Sequence, residues 1–147
     1  MPAFNKFNNW VHYVAGGVSG QVVKCASDTF KVLLTNTAPV ATNTKYADIS
    51  ATEVANGNGY VTGGTAVGST STSNSSGTET FIGNAVTFTG SGTFGPFRYA
   101  VVYDTTPTDQ PLVGWWDYGS SISLANGETF TVQPSSQATG GTIFTLA

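Results

Sequence analysis

The chain has 147 residues, enough for one domain whose core needs no covalent staples. Net charge is -3 and only 9% of residues are charged, so four lysines and one arginine scattered along the chain cannot form the basic track that nucleic acid requires. A single cysteine, Cys25, excludes an intramolecular disulfide, and with the lone His12 it cannot build a zinc site. The missing charge is replaced by Ser, Thr, Asn and Gly, a composition that suits sheets more than helices.

In chain order, residues 3–15 are the only helix candidate. Phe4, Phe7, Trp10 with Val11, and Val14 recur at three- and four-residue spacing, and Gly16-Gly17 stops the pattern. With four large apolar side chains on one face, this segment either packs on its own domain or docks as an arm on a neighbouring subunit. It lacks the apolar run of a secretory leader, and no stretch of the chain is apolar for the length of a membrane-spanning helix. Val22 to Ala26 reads as a short strand and Thr29 to Thr35 as a strand bounded by Asp28 and Asn36. Tyr46 to Ile49 reads as a loop or short helical turn with Ile49 inward. Asn56-Gly57-Asn58-Gly59 is a turn signal, and Gly63-Gly64 weakens the strand pattern from Tyr60 to Val67.

Gly68 to Gly77 is apolar-free low-complexity sequence, either a mobile loop or a long polar edge. Thr80 to Thr89 reads as one strand. Ile122 to Leu124 begins another, with a turn at Asn126-Gly127 and a further strand over Thr129 to Gln133. Thr142 to Ala147 alternates as a final strand. About eight strands separated by turn signals predict an all-β fold, an antiparallel β-sandwich of jelly-roll or Ig-like type with a short N-terminal helix or arm. Residues 1–20 form the arm and 21–147 a single sandwich domain.

The segment from Phe97 to Tyr118 reads as the central hairpin. It holds the only arginine, two of the three tryptophans and three of the six tyrosines. Setting Asp104 opposite Pro111 pairs Tyr103 with Leu112, Val101 with Gly114, Tyr99 with Trp116 and Phe97 with Tyr118 on one apolar face. The other face then pairs Val102 with Val113, Ala100 with Trp115, and Arg98 with Asp117. A slip of one residue would turn every side chain to the opposite face.

Little in the chain points to catalysis. Gly90-Ser91-Gly92-Thr93-Phe94-Gly95 matches the dinucleotide-binding glycine pattern, but Pro96 and an aromatic strand follow where that motif needs a helix to hold phosphate. Asp104 and Asp117 sit at opposite ends of the hairpin, too far apart for a glycosidase pair, and Asp117 has a simpler partner in Arg98. Asp104 and Asp109 flank a loop whose spacing fits no calcium loop. Neither a cofactor nor a metal is expected. Because neighbouring tryptophans on a strand face opposite sides, a Trp116 in the core leaves Trp115 outside or under a second cover. An exposed Trp115 would stack on a sugar or anchor a protein partner.

Several stretches resemble a group of small structural proteins of tailed bacteriophages and prophages. They are Asp28 to Val40, Ala47-Asp48-Ile49, Gly57 to Tyr60 with Gly63-Gly64, Gly95 to Ala100, and Leu112 to Gly119. The Phe4-Asn5-Lys6-Phe7 opening is similar too, while Gly16 to Lys24 departs from the pattern. The resemblance covers most of the chain. It implies a non-enzymatic β-sandwich built into the virion, foremost a decoration or cement protein on the capsid. The partners implied are the major capsid protein or other virion proteins and copies of the chain itself, with neither nucleic acid nor membrane. Phe4, Phe7, Trp10 and Trp115 are the expected contact residues. The alternatives are a carbohydrate- or receptor-binding module of a tail or head fibre, and a tail-tube or connector protein.

Overall fold

The computed structural model describes residues 2–135 and 140–146. The strands are β1 (Phe4–Lys6), β2 (Phe30–Thr35), β3 (Thr65–Ala66), β4 (Ser71–Ser75), β5 (Thr78–Gly83), β6 (Val86–Thr89), β7 (Phe94–Asp104), β8 (Leu112–Leu124), β9 (Thr129–Val132) and β10 (Gly141–Leu146). Among the described residues all regular pairing is antiparallel, in three sheets: β1-β8-β7-β2-β3, β10-β5-β4, and β6-β9. One short helix, α1 (Trp10–Val14), precedes β2.

The five-stranded sheet is one layer, and the two smaller sheets cover one of its faces. Between the layers lies the main core. Phe30, Val32, Leu34, Ala100, Val102 and Trp116 meet Phe81 and Ile143 from one small sheet and Val86, Phe88 and Val132 from the other. Ring pairs mark the contact, with Phe30 and Phe81 centroids 4.7 Å apart and Phe97 and Phe130 5.0 Å apart. The back of the large sheet is also covered. Leu33, Val101, Tyr103 and Leu112 pack there beneath Phe7 and Ile49, flanked by Tyr46 and Trp115. With both faces buried, Val32 to Leu34 of β2 and Tyr99 to Tyr103 of β7 read as continuous apolar runs rather than as an alternation.

The N-terminal segment is not one helix. Phe4–Lys6 is a strand on the edge of β8, with Phe4 opposite Trp116 and Lys6 opposite Gly114, and only Trp10–Val14 is helical. The open edge of β8 offers backbone partners that a three-residue helix extension cannot match, and Asn8-Asn9 favours the break between the elements. Gly114 makes the close approach possible. A Cβ there would lie 2.5 Å from the Asn5 carbonyl oxygen and would overlap the Phe4 ring. Gly114→Ala is therefore expected to unseat β1 and cost roughly 1–3 kcal/mol in urea unfolding, the range for overpacking.

Three further expectations change. Val22 to Ala26 is irregular, because the Lys24 N–H donates to Asp28 Oδ2 at 2.7 Å and turn bonds satisfy the following amides. Thr80 to Thr89 is two strands in different sheets, since the chain crosses over at Asn84-Ala85, where the Asn84 N–H donates to the Gly68 carbonyl. Of Tyr60 to Val67 only Thr65–Ala66 is strand. Gly64 adopts φ +73° and lies so close to the Val32 backbone that no side chain fits. Gly68 to Gly77 is the polar edge, not a loop. β4 and β5 form a tight hairpin in which Ser76 and Gly77 take the left-handed φ of a two-residue turn. Residue 147, included in the expected last strand, lies outside the described residues.

The central hairpin keeps its expected register only near the turn. The Asp104 N–H donates to the Pro111 carbonyl at 3.0 Å and Tyr103 opposes Leu112. Val113 is then an extra residue in β8, so Val102 opposes Gly114, Val101 opposes Trp115, Ala100 opposes Trp116 and Tyr99 opposes Asp117. A bulge of this kind cannot be seen in an alternation pattern that is apolar on both faces. Its effect is to place Val113 and Trp116 on the main-core side while Trp115 faces the back layer. A second irregularity sets Phe97 opposite Ile122 rather than Tyr118.

Candidate functional site: an aromatic cleft beside an ion pair

A cleft of about 150 Å³ lies between the large sheet and β9. Trp116, Tyr118 and Phe130 make its aromatic wall, with Pro2, Arg98 and Ala100 around them. Tyr118 is half exposed and meets Phe130 edge-on at 5.5 Å. Arg98 is tied to Asp117 by two bonds, from Nε to Oδ1 at 2.7 Å and from Nη2 to Oδ2 at 2.8 Å. The guanidinium holds the Asp117 carboxyl below the usual carboxylate range, helped by the Gly119 N–H. The expected partnership of Arg98 and Asp117 thus forms, although as a diagonal pair in the shifted register. Chemically, the cleft offers aromatic and aliphatic surface with a satisfied ion pair at its rim. It suits a proline ring, an apolar side chain or the flat face of a sugar more than a free anion.

The residues expected to contact a partner point elsewhere. Phe7 and Trp10 are each 0% exposed within their own chain. Trp10 lies edge-on to Phe144 at 5.4 Å, and Phe4 stacks on Phe144 at 5.9 Å and tilts against Trp116 at 5.0 Å. Trp115 is half buried beneath Phe7, with ring centroids 4.6 Å apart. The chain's own N-terminal segment is the cover over Trp115. The arm is therefore an integral part of the fold, because burying its rings releases more apolar surface from water than any exposed pose could.

Two polar clusters lay unrecognised in the sequence. Glu53, placed after two 3-10 turns (Tyr46–Asp48 and Ser50–Thr52), accepts hydrogen bonds from the Tyr46 hydroxyl at 2.7 Å, the Tyr60 hydroxyl at 2.6 Å and the Gly63 N–H at 2.6 Å. The Tyr60 hydroxyl accepts in turn from the Leu34 N–H, and the Tyr103 hydroxyl donates to the Gly63 carbonyl at 2.8 Å. Burial, with the Glu53 charge nearby, pushes the Tyr103 phenol up to about 12. This knot pins the back-layer loops to β2 and β7. Glu53→Ala is expected to cost about 2–4 kcal/mol, measured by urea unfolding, because charge-assisted bonds are lost and two phenols are left without their acceptor.

The second cluster is a carboxyl pair. Asp104 is 0% exposed and Asp28 8%. Asp104 Oδ1 accepts from the Thr106 N–H at 2.9 Å, whereas Oδ2 has no donor. Burial, opposed in part by the Thr106 bond, pushes the Asp104 carboxyl up to about 7, and adjacent Asp28 adds to the rise. Protonated, Oδ2 becomes a donor toward Asp28, which removes the unsatisfied acceptor. Cys25 lies close by, and burial raises its thiol to about 12, which makes it an inert small residue rather than a nucleophile.

Each of the eight carboxylates accepts a bond from its own chain. Asp48 takes the Thr44 and Lys45 amides, Glu79 the Asn74 side chain, Asp109 the Tyr13 hydroxyl, and Glu128 the Ala125 amide. No group of three or more His, Cys, Asp or Glu able to hold a metal occurs among the described residues. The glycine pattern at 90–95 runs into β7, with no helix after it. No protein-family model, curated protein or solved structure matches the chain.

Proposed function

We propose that the chain is a non-enzymatic structural protein of a phage virion, a head decoration protein that binds the capsid shell in many copies. The observation that carries this reading is where the phage-like stretches fall. Asp28 to Val40, Gly95 to Ala100 and Leu112 to Gly119 contain all or part of β2, β7 and β8, which lie side by side. Ile49, Tyr60 and Gly63 pack or bond against the same sheet. The resemblance thus follows one connected framework rather than scattered surface motifs.

Because Phe7, Trp10 and Trp115 serve the chain's own core, the contact surface in this reading is the Tyr118 cleft, with Pro2 and Phe130. Its partner is the major capsid protein or another virion protein. Association through an apolar cleft at low charge is expected to vary little between low and physiological salt. Tyr118→Lys should lower occupancy on purified particles about tenfold, a loss of roughly 1.4 kcal/mol per site, while leaving the melting temperature unchanged. Hundreds of copies on the head support the proposal. A dozen or fewer support a connector or fibre instead, and glycan binding abolished by Tyr118→Ala supports the carbohydrate-binding alternative.

A further inference from the structure

β4 is an open edge with none of the usual protection. It pairs with β5 on one side only. Sheet edges are ordinarily blunted by charge, proline, bulges or brevity. Three other edges here carry such devices. β1 is short and bears Lys6, β3 has two residues, and β10 has an irregularity between Thr142 and Phe144. Along β4 there is no charge and no proline, and no charged residue lies anywhere between Glu53 and Glu79. The β4–β5 register is continuous, and the tight turn at Ser76-Gly77 holds the strand extended without help from a ligand. Four of the five β4 residues are exposed.

We propose that β4 pairs antiparallel with β4 of a second copy, joining two three-stranded sheets into one continuous six-stranded sheet across a two-fold axis. The sequence is self-complementary about Ser73. Centring the axis there sets Ser73 opposite Ser73, Ser71 opposite Ser75, and Thr72 opposite Asn74. Hydroxyls meet hydroxyls or an amide, with no like charges and no bulk to hold the backbones apart. A second copy brings to this edge a strand of matching length and matching composition. The pairing is independent of the capsid reading, because it is a property of the purified chain alone.

Sedimentation velocity of the purified full chain, from micromolar to millimolar concentration, tests it. A concentration-dependent dimer is expected, and Ser73→Lys, which sets two ammonium groups face to face, should raise its dissociation constant about tenfold. Ser73 is exposed, so circular dichroism should show the variant folded as the wild type. Under mild oxidation Ser73→Cys should form a disulfide between copies, and the exposed control Thr145→Cys should not. A strictly monomeric chain overturns the proposal. So does a dimer that Ser73→Lys leaves intact, a dimer broken by Tyr118→Lys instead, or equal crosslinking at both cysteines. Capsid occupancy plays no part in these readouts, so failure here is distinct from failure of the decoration reading.

Discussion

Trp10→Ala is expected to destabilise the chain by about 3–5 kcal/mol, the cost of truncating a large buried aromatic. Against a total of roughly 5–15 kcal/mol for an ordinary domain, that is about a fifth or more. The melting temperature should fall by roughly 10 °C. Trp10 is fully buried, touches Phe144 and sits in the main core with Tyr13 and Trp116. Its indole Nε1 has no acceptor, so part of its burial is already offset by an unpartnered N–H. Trp10→Phe should therefore cost much less than the alanine change. If α1 were a detachable arm, Trp10→Ala would leave the thermal midpoint where it was. Equal and small effects from both variants would show that the segment lies off the core.

Asp104→Asn is expected to stabilise the protein at alkaline pH and to do little at acidic pH. Folding raises this carboxyl from its ordinary value of 3.8 to about 7. The folded state therefore holds a proton that the unfolded chain gives up. That advantage is complete below about pH 4 and is lost as the pH rises through 7. The difference corresponds to roughly 4 kcal/mol at most, at about 1.4 kcal/mol per pKa unit. Asparagine keeps an acceptor for the Thr106 N–H and offers Asp28 an N–H donor at every pH. Thermal melts at pH 5 and pH 8 should show the wild type losing stability between them and the variant losing much less. A wild type equally stable at both would mean that the pair is ionised and solvated.

Much of the architecture was legible because its signals are local. β2 announces itself by Phe30 to Leu34 between Asp28 and Asn36, and the β8–β9 turn by Asn126-Gly127. Ile49 points inward as its apolar character requires. What stayed hidden depends on pairing partners far away in the chain. Phe4–Lys6 is helical by spacing yet a strand by tertiary contact, since the edge of β8 lies more than a hundred residues on. Val113 is an extra residue that only the opposing strand can reveal. The Arg98–Asp117 pair forms despite the shifted register because the long arginine side chain reaches across a diagonal. Glu53 and the Asp28–Asp104 pair were invisible for the same reason. No local pattern marks a carboxylate whose donors come from Tyr46, Tyr60 and Gly63, or one whose neighbour is remote in sequence. The Tyr118 cleft needed β9 to close it, and alternation alone said nothing of β9's position.

The placement of Phe4 and Trp10 against Phe144 also bears on how the molecule is made. The first strand of the fold packs on its last, and β1 needs β8 as a hydrogen-bonding neighbour. A ribosome delivers these aromatics before the strands that cover them. Until β8 and β10 emerge, β1 has no strand partner, and Phe4 and Trp10 lack the Phe144 ring. Closure is therefore a late, long-range event, of the kind that slows folding and exposes nascent chains to association. Truncation before Gly141 should leave a product that is soluble only with a holding chaperone.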